Sequence, residues 1–96
     1  MDLAISLISV FHPDYEGARV LRYEVLREPL GQPPGSEWFT FEPDSVHVVA
    51  KDGARVVGCV LFHPEPNESG RLFQMAVAPE LRKSGIGAKL VRALEV

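Results

Sequence analysis

The stretch from Met75 to Leu90 constrains this chain most: Met-Ala-Val-Ala-Pro-Glu-Leu-Arg-Lys-Ser-Gly-Ile-Gly-Ala-Lys-Leu. An apolar strand ends at Ala78, Pro79 breaks it, and a basic turn carrying Gly85 and Gly87 opens into a helix-patterned run. A helix start leaves several N–H groups without a partner inside the helix, and the aligned peptide dipoles add about half a positive charge there. Such an end takes up phosphate directly. Gly85 and Gly87 remove side chains that would hold an anion away, and Arg82 and Lys83 add charge. A dinucleotide fingerprint is excluded, because it needs three glycines and an acidic residue about twenty positions on. A P-loop is excluded because no Gly-Lys-Ser or Gly-Lys-Thr closes the turn.

Upstream, the chain reads as strand, helix, loop, hairpin and strand. Leu3, Ile5 and Leu7 alternate with smaller or polar residues at the two-residue period of a half-buried strand. Pro13-Asp14 then predicts a helix start with Asp14 as its cap, and Tyr15, Ala18, Leu21 and Val25 form one apolar stripe ending at Pro29. Arg19 and Arg22 fall mostly off that stripe. Residues 30–44 are rich in Gly, Pro, Gln and Ser and hold Trp38, Phe39 and Phe41, which read slightly better as a plug under the loop than as a pocket lining. Val46, Val48 and Ala50 lead to Asp52-Gly53, a two-residue hairpin signal, and residues 55–62 return as the partner strand. Gly58 inside that strand predicts a bulge or a close backbone approach. A connector at 63–70 and a strand at 71–78 lead into the glycine turn. The helix after it places Leu90, Val91 and Leu94 on its buried side.

The motif Val77-x-Pro79-x-x-Arg82-x-x-Gly85-x-Gly87 resembles the acetyl-coenzyme A motif of the GNAT superfamily of N-acetyltransferases, and the order of elements agrees with the N-terminal part of that fold. The resemblance implies an α/β protein: a central, mostly antiparallel sheet with flanking helices, expected to be truncated after the coenzyme-binding helix. Residues 1–96 then form a single GNAT-like domain lacking the C-terminal strands and helix. The family usually places two short helices between its first strands, and the second is expected inside 30–44. The implied activity is transfer of an acetyl group from acetyl-CoA to a primary amine by direct attack in a ternary complex. The alternative is a non-catalytic GNAT-like module that binds coenzyme A or a partner chain.

By match to the motif, the backbone of Met75, Ala76 and Val77 is expected to hold the pantetheine arm. Arg82, Lys83, Ser84, Gly85, Ile86, Gly87 and Ala88 are expected around the pyrophosphate. No catalytic residue can be assigned. Gln74 and Arg71 cannot act as a base at neutral pH, His47 reads more readily as structural, and Glu42 or Asp44 through a relayed water is conceivable. Tyr15 and Tyr23 both lie on the first helix, not where the family's general acid stands.

Composition bounds the rest. With 96 residues the chain is near the size at which a single core becomes marginal. Cys59 is the one cysteine, so an internal disulfide is impossible, and within a Val/Leu run it reads as a buried hydrophobe. His12, His47 and His63 lack metal-ligand spacing, so no metal is expected. No run approaches a membrane span and no secretory signal is evident, which makes a cytoplasmic location the default. Residues 1–70 hold five Lys or Arg against eleven Asp or Glu, while residues 71–96 hold five against two. That basic end suits a small polyanion better than nucleic acid, and the acidic remainder leans towards a cationic, amine-bearing acceptor. The strand at 71–78 would carry an open edge, so dimerisation or completion by a second chain is a further expectation.

Overall fold

In the computed structural model, which describes residues 3–40, 42–64 and 70–94, four strands form one antiparallel meander. The strands are β1 (Leu3–Ile8), β2 (Val46–Asp52), β3 (Arg55–Pro64) and β4 (Gly70–Val77), in that spatial order. The β2–β3 hairpin turns through Gly53 and Ala54, one residue later than the Asp52-Gly53 signal implied, because Asp52 still pairs with Arg55. Gly53 takes φ 62° as the first central residue of the turn, a conformation hairpin turns favour because it matches the twist of the strands.

Two helices cover opposite faces of this sheet. On one face lies α1 (Asp14–Arg22), where the Cys59 thiol donates to the Ala18 carbonyl at 3.7 Å. On the other lies α2 (Ile86–Leu94), whose Ile86 packs over Gly58. Because Gly58 and Cys59 are neighbours in a strand, they face opposite ways and so fix this two-sided arrangement. Val48, Val49, Ala50, Val57 and Val60 are buried between the two layers, which is why β2 and β3 read as continuous apolar runs.

Several expectations change. Asp14 does not cap α1; the His12 ring does, its Nδ1 accepting the Asp14 N–H at 3.0 Å, while the Asp14 carboxylate reaches Lys51 at 3.2 Å. The helix does not stop at Pro29 as one α-helix: it passes into a π-helical turn (Tyr23–Arg27) and a 3-10 turn (Glu28–Leu30) closed by Gly31. No second α-helix forms among the described residues of 30–44; turns and one 3-10 turn (Glu42–Asp44) take its place. Trp38 is 43% exposed and plugs nothing, Phe39 is half-buried, and Phe41 lies outside the described residues. Most of the connector expected at 63–70 also lies outside them. Of the three residues expected on the buried side of α2, Leu90 is fully buried, while Val91 is half-buried and lines a cleft and Leu94 is half-buried.

The loop is held from beneath by charge. Arg22, expected off the buried stripe, is 3% exposed and donates from Nη2 to both Glu42 oxygens at 2.8 and 3.0 Å. Glu42 also accepts from the Tyr15 hydroxyl and from the Phe39 N–H at 2.8 Å. Nearer the loop's start, Arg19 donates through Nε to Glu37 at 2.8 Å, and the other Glu37 oxygen accepts the Gly35 N–H at 2.9 Å.

Candidate functional site

Two irregularities face one another at the open side of β4. The first is in the strand. Leu61 pairs with Phe73 and Cys59 with Ala76, so Val60 alone stands opposite both Gln74 and Met75. Gln74 takes φ 56°, the one left-handed non-glycine among the described residues. This is a β-bulge, and it re-aims the strand just before Met75. Beyond the bulge the Ala78 N–H reaches the Val57 carbonyl at 2.8 Å, so strand alternation turns the Val77 N–H to the edge away from β3. No further strand lies along that edge among the described residues.

The second irregularity is the turn into α2. Pro79–Leu81 form a 3-10 turn, the Ser84 N–H and hydroxyl both donate back to the Leu81 carbonyl at 3.1 and 2.6 Å, and Gly85 turns left-handed at φ 84°. The Lys89 N–H then reaches the Gly85 carbonyl at 3.2 Å, so the N–H groups of Ile86, Gly87 and Ala88 precede the first bonded turn and have no partner within the helix. Arg82 and Lys83 are exposed, with no ion pair among the described residues.

Between bulge and helix start lies an open cleft of about 570 Å³ lined by Met75, Gly87, Ala88, Val91 and Arg92. A Cβ on Gly87 would sit 3.3 Å from the Met75 sulfur, so the two walls come close there and a side chain on Gly87 would have to displace the Met75 thioether. Of the residues singled out from sequence, Met75, Gly87 and Ala88 meet in this cleft, and Arg82, Lys83, Ser84 and Gly85 stand on the exposed turn that leads into α2 without lining the cleft. Ala76 and Ile86 are buried, so they can offer only backbone. Val91 and Arg92 were missed, although their three- and four-residue steps from Ala88 put them on its helix face.

The acid–base candidates fall elsewhere. His47 is buried, with Nε2 2.9 Å from the Glu42 carbonyl oxygen and its ring edge-on to Tyr15 at 5.2 Å. Glu42 is fully buried and saturated by Arg22, Tyr15 and the Phe39 amide. Burial raises the Tyr15 hydroxyl most, the Glu42 carboxylate adds to it, and together they outweigh Arg22 and Arg19 to leave it at about 12. These groups lock the loop to α1. Burial likewise pushes the Cys59 thiol up to about 12, which makes it a core residue rather than a nucleophile. Among the described residues no cluster of His, Cys, Asp and Glu could hold a metal ion, and no helix is long and apolar enough to cross a membrane.

A meander sheet between two helices, with a bulged edge strand facing a glycine-opened helix start, defines the class as a mixed α/β fold. The chain belongs to the acetyltransferase (GNAT) family, whose family model matches residues 6–96. It is 44% identical over 48 residues to the mycothiol acetyltransferase of Corynebacterium jeikeium (strain K411), a match covering 50% of this chain and 12% of that protein. The putative N-acetyltransferase from Lactobacillus plantarum superposes with a TM-score of 0.81 at 20% identity, covering 97% of this chain and 64% of that one. An aminoglycoside 6'-N-acetyltransferase complexed with coenzyme A gives 0.75 at 25% identity, covering 96% and 53%. The chain therefore spans less than two thirds of these relatives.

Proposed function

We propose that residues 1–96 form a single coenzyme-binding domain that presents acetyl-CoA for transfer of its acetyl group to a primary amine. The observation that carries this reading is the bulge at Gln74 and Met75 facing the open amides of Ile86, Gly87 and Ala88 across one cleft. The helix start and the neighbouring Arg82 and Lys83 offer donors and charge to a pyrophosphate, with Ser84 and Gly85 shaping the turn that holds them. The outward edge of β4 at Met75 to Val77 offers a strand-like partner for the amide-bearing pantetheine arm. A neutral amine attacks the thioester carbonyl carbon, the carbon–sulfur bond breaks, the amine loses a proton and the thiolate gains one. The edge amides polarise the carbonyl. Neither Glu42 nor His47 serves as the base, since both are committed to the loop.

The acceptor is an amine-bearing small molecule or peptide. The chain's relatives include proteins named for mycothiol and aminoglycoside acetylation, which fits that class without choosing within it. A second reading, a module that binds coenzyme A without turnover, is favoured by the cleft lining itself: Met75, Gly87, Ala88, Val91 and Arg92 supply no general base.

The test is isothermal titration of the chain with acetyl-CoA, followed by turnover of acetyl-CoA over an amine panel. Saturable binding near one per chain with amine-dependent release of free thiol is the expected result. Binding without turnover selects the second reading, and no binding by the folded chain overturns both.

A further inference from the structure

The β4 bulge is held from the opposite face of the sheet. Arg27 donates from Nη2 to the Gln74 side-chain oxygen at 3.1 Å, joining the end of the first helical segment to the one left-handed side-chain-bearing residue described in the chain. Arg27 closes the π-helical turn, in which the Glu28 N–H bonds to the Tyr23 carbonyl five residues back. A turn of that kind takes more residues than an α-turn and so shifts the direction in which the following side chains leave the axis. Both members of the contact thus come from irregular backbone. The Arg27 Nε is buried with no partner among the described residues, so this guanidinium spends a donor to remain at Gln74. A guanidinium only donates, which fixes the Gln74 carboxamide with its oxygen towards Arg27.

We propose that Arg27 is a positioning residue: through Gln74 it keeps the bulge left-handed and so sets the Met75 to Val77 edge against which the acetyl thioester lies. An extended β-strand conformation is the ordinary state of a glutamine, and a left-handed one costs free energy that a tertiary contact must offset. Without Arg27, Gln74 relaxes towards the extended region. That change moves the edge amides, whereas the turn at Gly85 is held by its own bonds, from Ser84 to the Leu81 carbonyl and from the Lys89 N–H to the Gly85 carbonyl. This inference rests on the coenzyme-binding reading only for its effect on ligand, not for its effect on backbone.

Two measurements separate these. In the unliganded chain, the three-bond coupling between the amide and α hydrogens of Gln74 reports its φ by NMR. The expected result is a left-handed value in the wild type, an extended or averaged value in Arg27→Met, and a retained left-handed value in Gln74→Glu, which still accepts from Arg27. A left-handed value persisting in Arg27→Met overturns the proposal, whether or not any ligand binds. In the second arm, acetyl-CoA and CoA are titrated in parallel. Arg27→Met is expected to reduce the preference for acetyl-CoA by about fivefold, the worth of one hydrogen bond, with CoA affinity nearly unchanged. Arg27→Met with Gln74→Gly is expected to restore the preference, because glycine holds the left-handed conformation unaided. An equal loss for both ligands, with no rescue by glycine, shows Arg27 to be merely structural and overturns the proposal. A wild type that binds neither ligand overturns the proposed function and leaves the coupling to decide this inference.

Discussion

A Cβ placed on Gly58 would lie 2.7 Å from Cγ2 of Ile86, closer than carbon atoms can come. The first buried residue of α2 therefore sits directly on the strand backbone, and this contact sets the height of the helix start above the sheet. Gly58→Ala should cost about 1–3 kcal/mol by overpacking, read as a lower urea midpoint with an unchanged slope. It should also weaken acetyl-CoA binding, because the Ile86 amide moves with its side chain. Ile86→Ala added to Gly58→Ala should recover part of the binding, since it removes the obstructing methyl.

The Arg22–Glu42 pair makes the opposite kind of contact, one in which charge replaces apolar packing. With side chains 3% and 0% exposed, neither partner can return to water if the other is lost. Arg22→Met should cost about 3–5 kcal/mol, the penalty of an uncompensated buried carboxylate. Arg22→Met with Glu42→Met should cost well under the sum of the single changes. A double-mutant cycle by urea denaturation measures the difference. Residual loss in the double variant should reflect the Tyr15 hydroxyl and Phe39 amide bonds that Glu42 no longer accepts.

The sequence made the layered architecture legible because its signals are local. Strand alternation, the Asp52-Gly53 region and the Arg82 to Gly87 spacing each depend on residues within one turn or one hairpin. Long-range polar pairs were hidden. Arg22 and Glu42 are 20 positions apart, and Arg27 and Gln74 are 47 apart, so no periodicity ties either pair together. Trp38 was misread because clustered aromatics usually signal burial, whereas here buried Glu37 and Glu42 anchor the loop and leave Trp38 outward. The left-handed Gln74 was also out of reach, since glutamine carries no turn preference to announce it.

Gly85 and Gly87 should fail differently when replaced. Gly85 has φ 84° and nothing within 4 Å of an added Cβ, so Gly85→Ala meets backbone strain and no collision with the protein. It should cost about 1–2 kcal/mol of stability, and Gly85→Asn should cost less because asparagine visits this conformation more readily. Gly87 has no such φ, but its Cβ would meet the Met75 sulfur. Gly87→Val should leave the melting temperature nearly unchanged and reduce acetyl-CoA affinity at least tenfold, about 1.4 kcal/mol, by filling the cleft between Met75 and α2. Parallel calorimetry and thermal melts on the three variants separate strain from obstruction.

Stability should fall at both ends of the pH scale for reasons that lie in the same loop. Burial opposes the Glu37 carboxylate, but hydrogen bonds from Arg19 and from backbone amides, with the Arg19 charge, outweigh it and hold the group below its ordinary value. Its contribution is therefore present above the unfolded carboxylate range, about pH 4.3, and is lost as pH falls through the depressed folded value. Tyr15 behaves in the reverse sense. With the hydroxyl at about 12 in the folded chain against about 10 unfolded, its contribution is complete below about pH 10 and declines as pH rises towards 12. Partial exposure of Tyr15 limits the alkaline loss to about 1 kcal/mol. Urea midpoints measured across acid and alkaline series should show both declines. Glu37→Gln should flatten the acid limb and Tyr15→Phe the alkaline limb, each leaving the other in place. An alkaline limb that persists in Tyr15→Phe would assign the loss to a group outside this network.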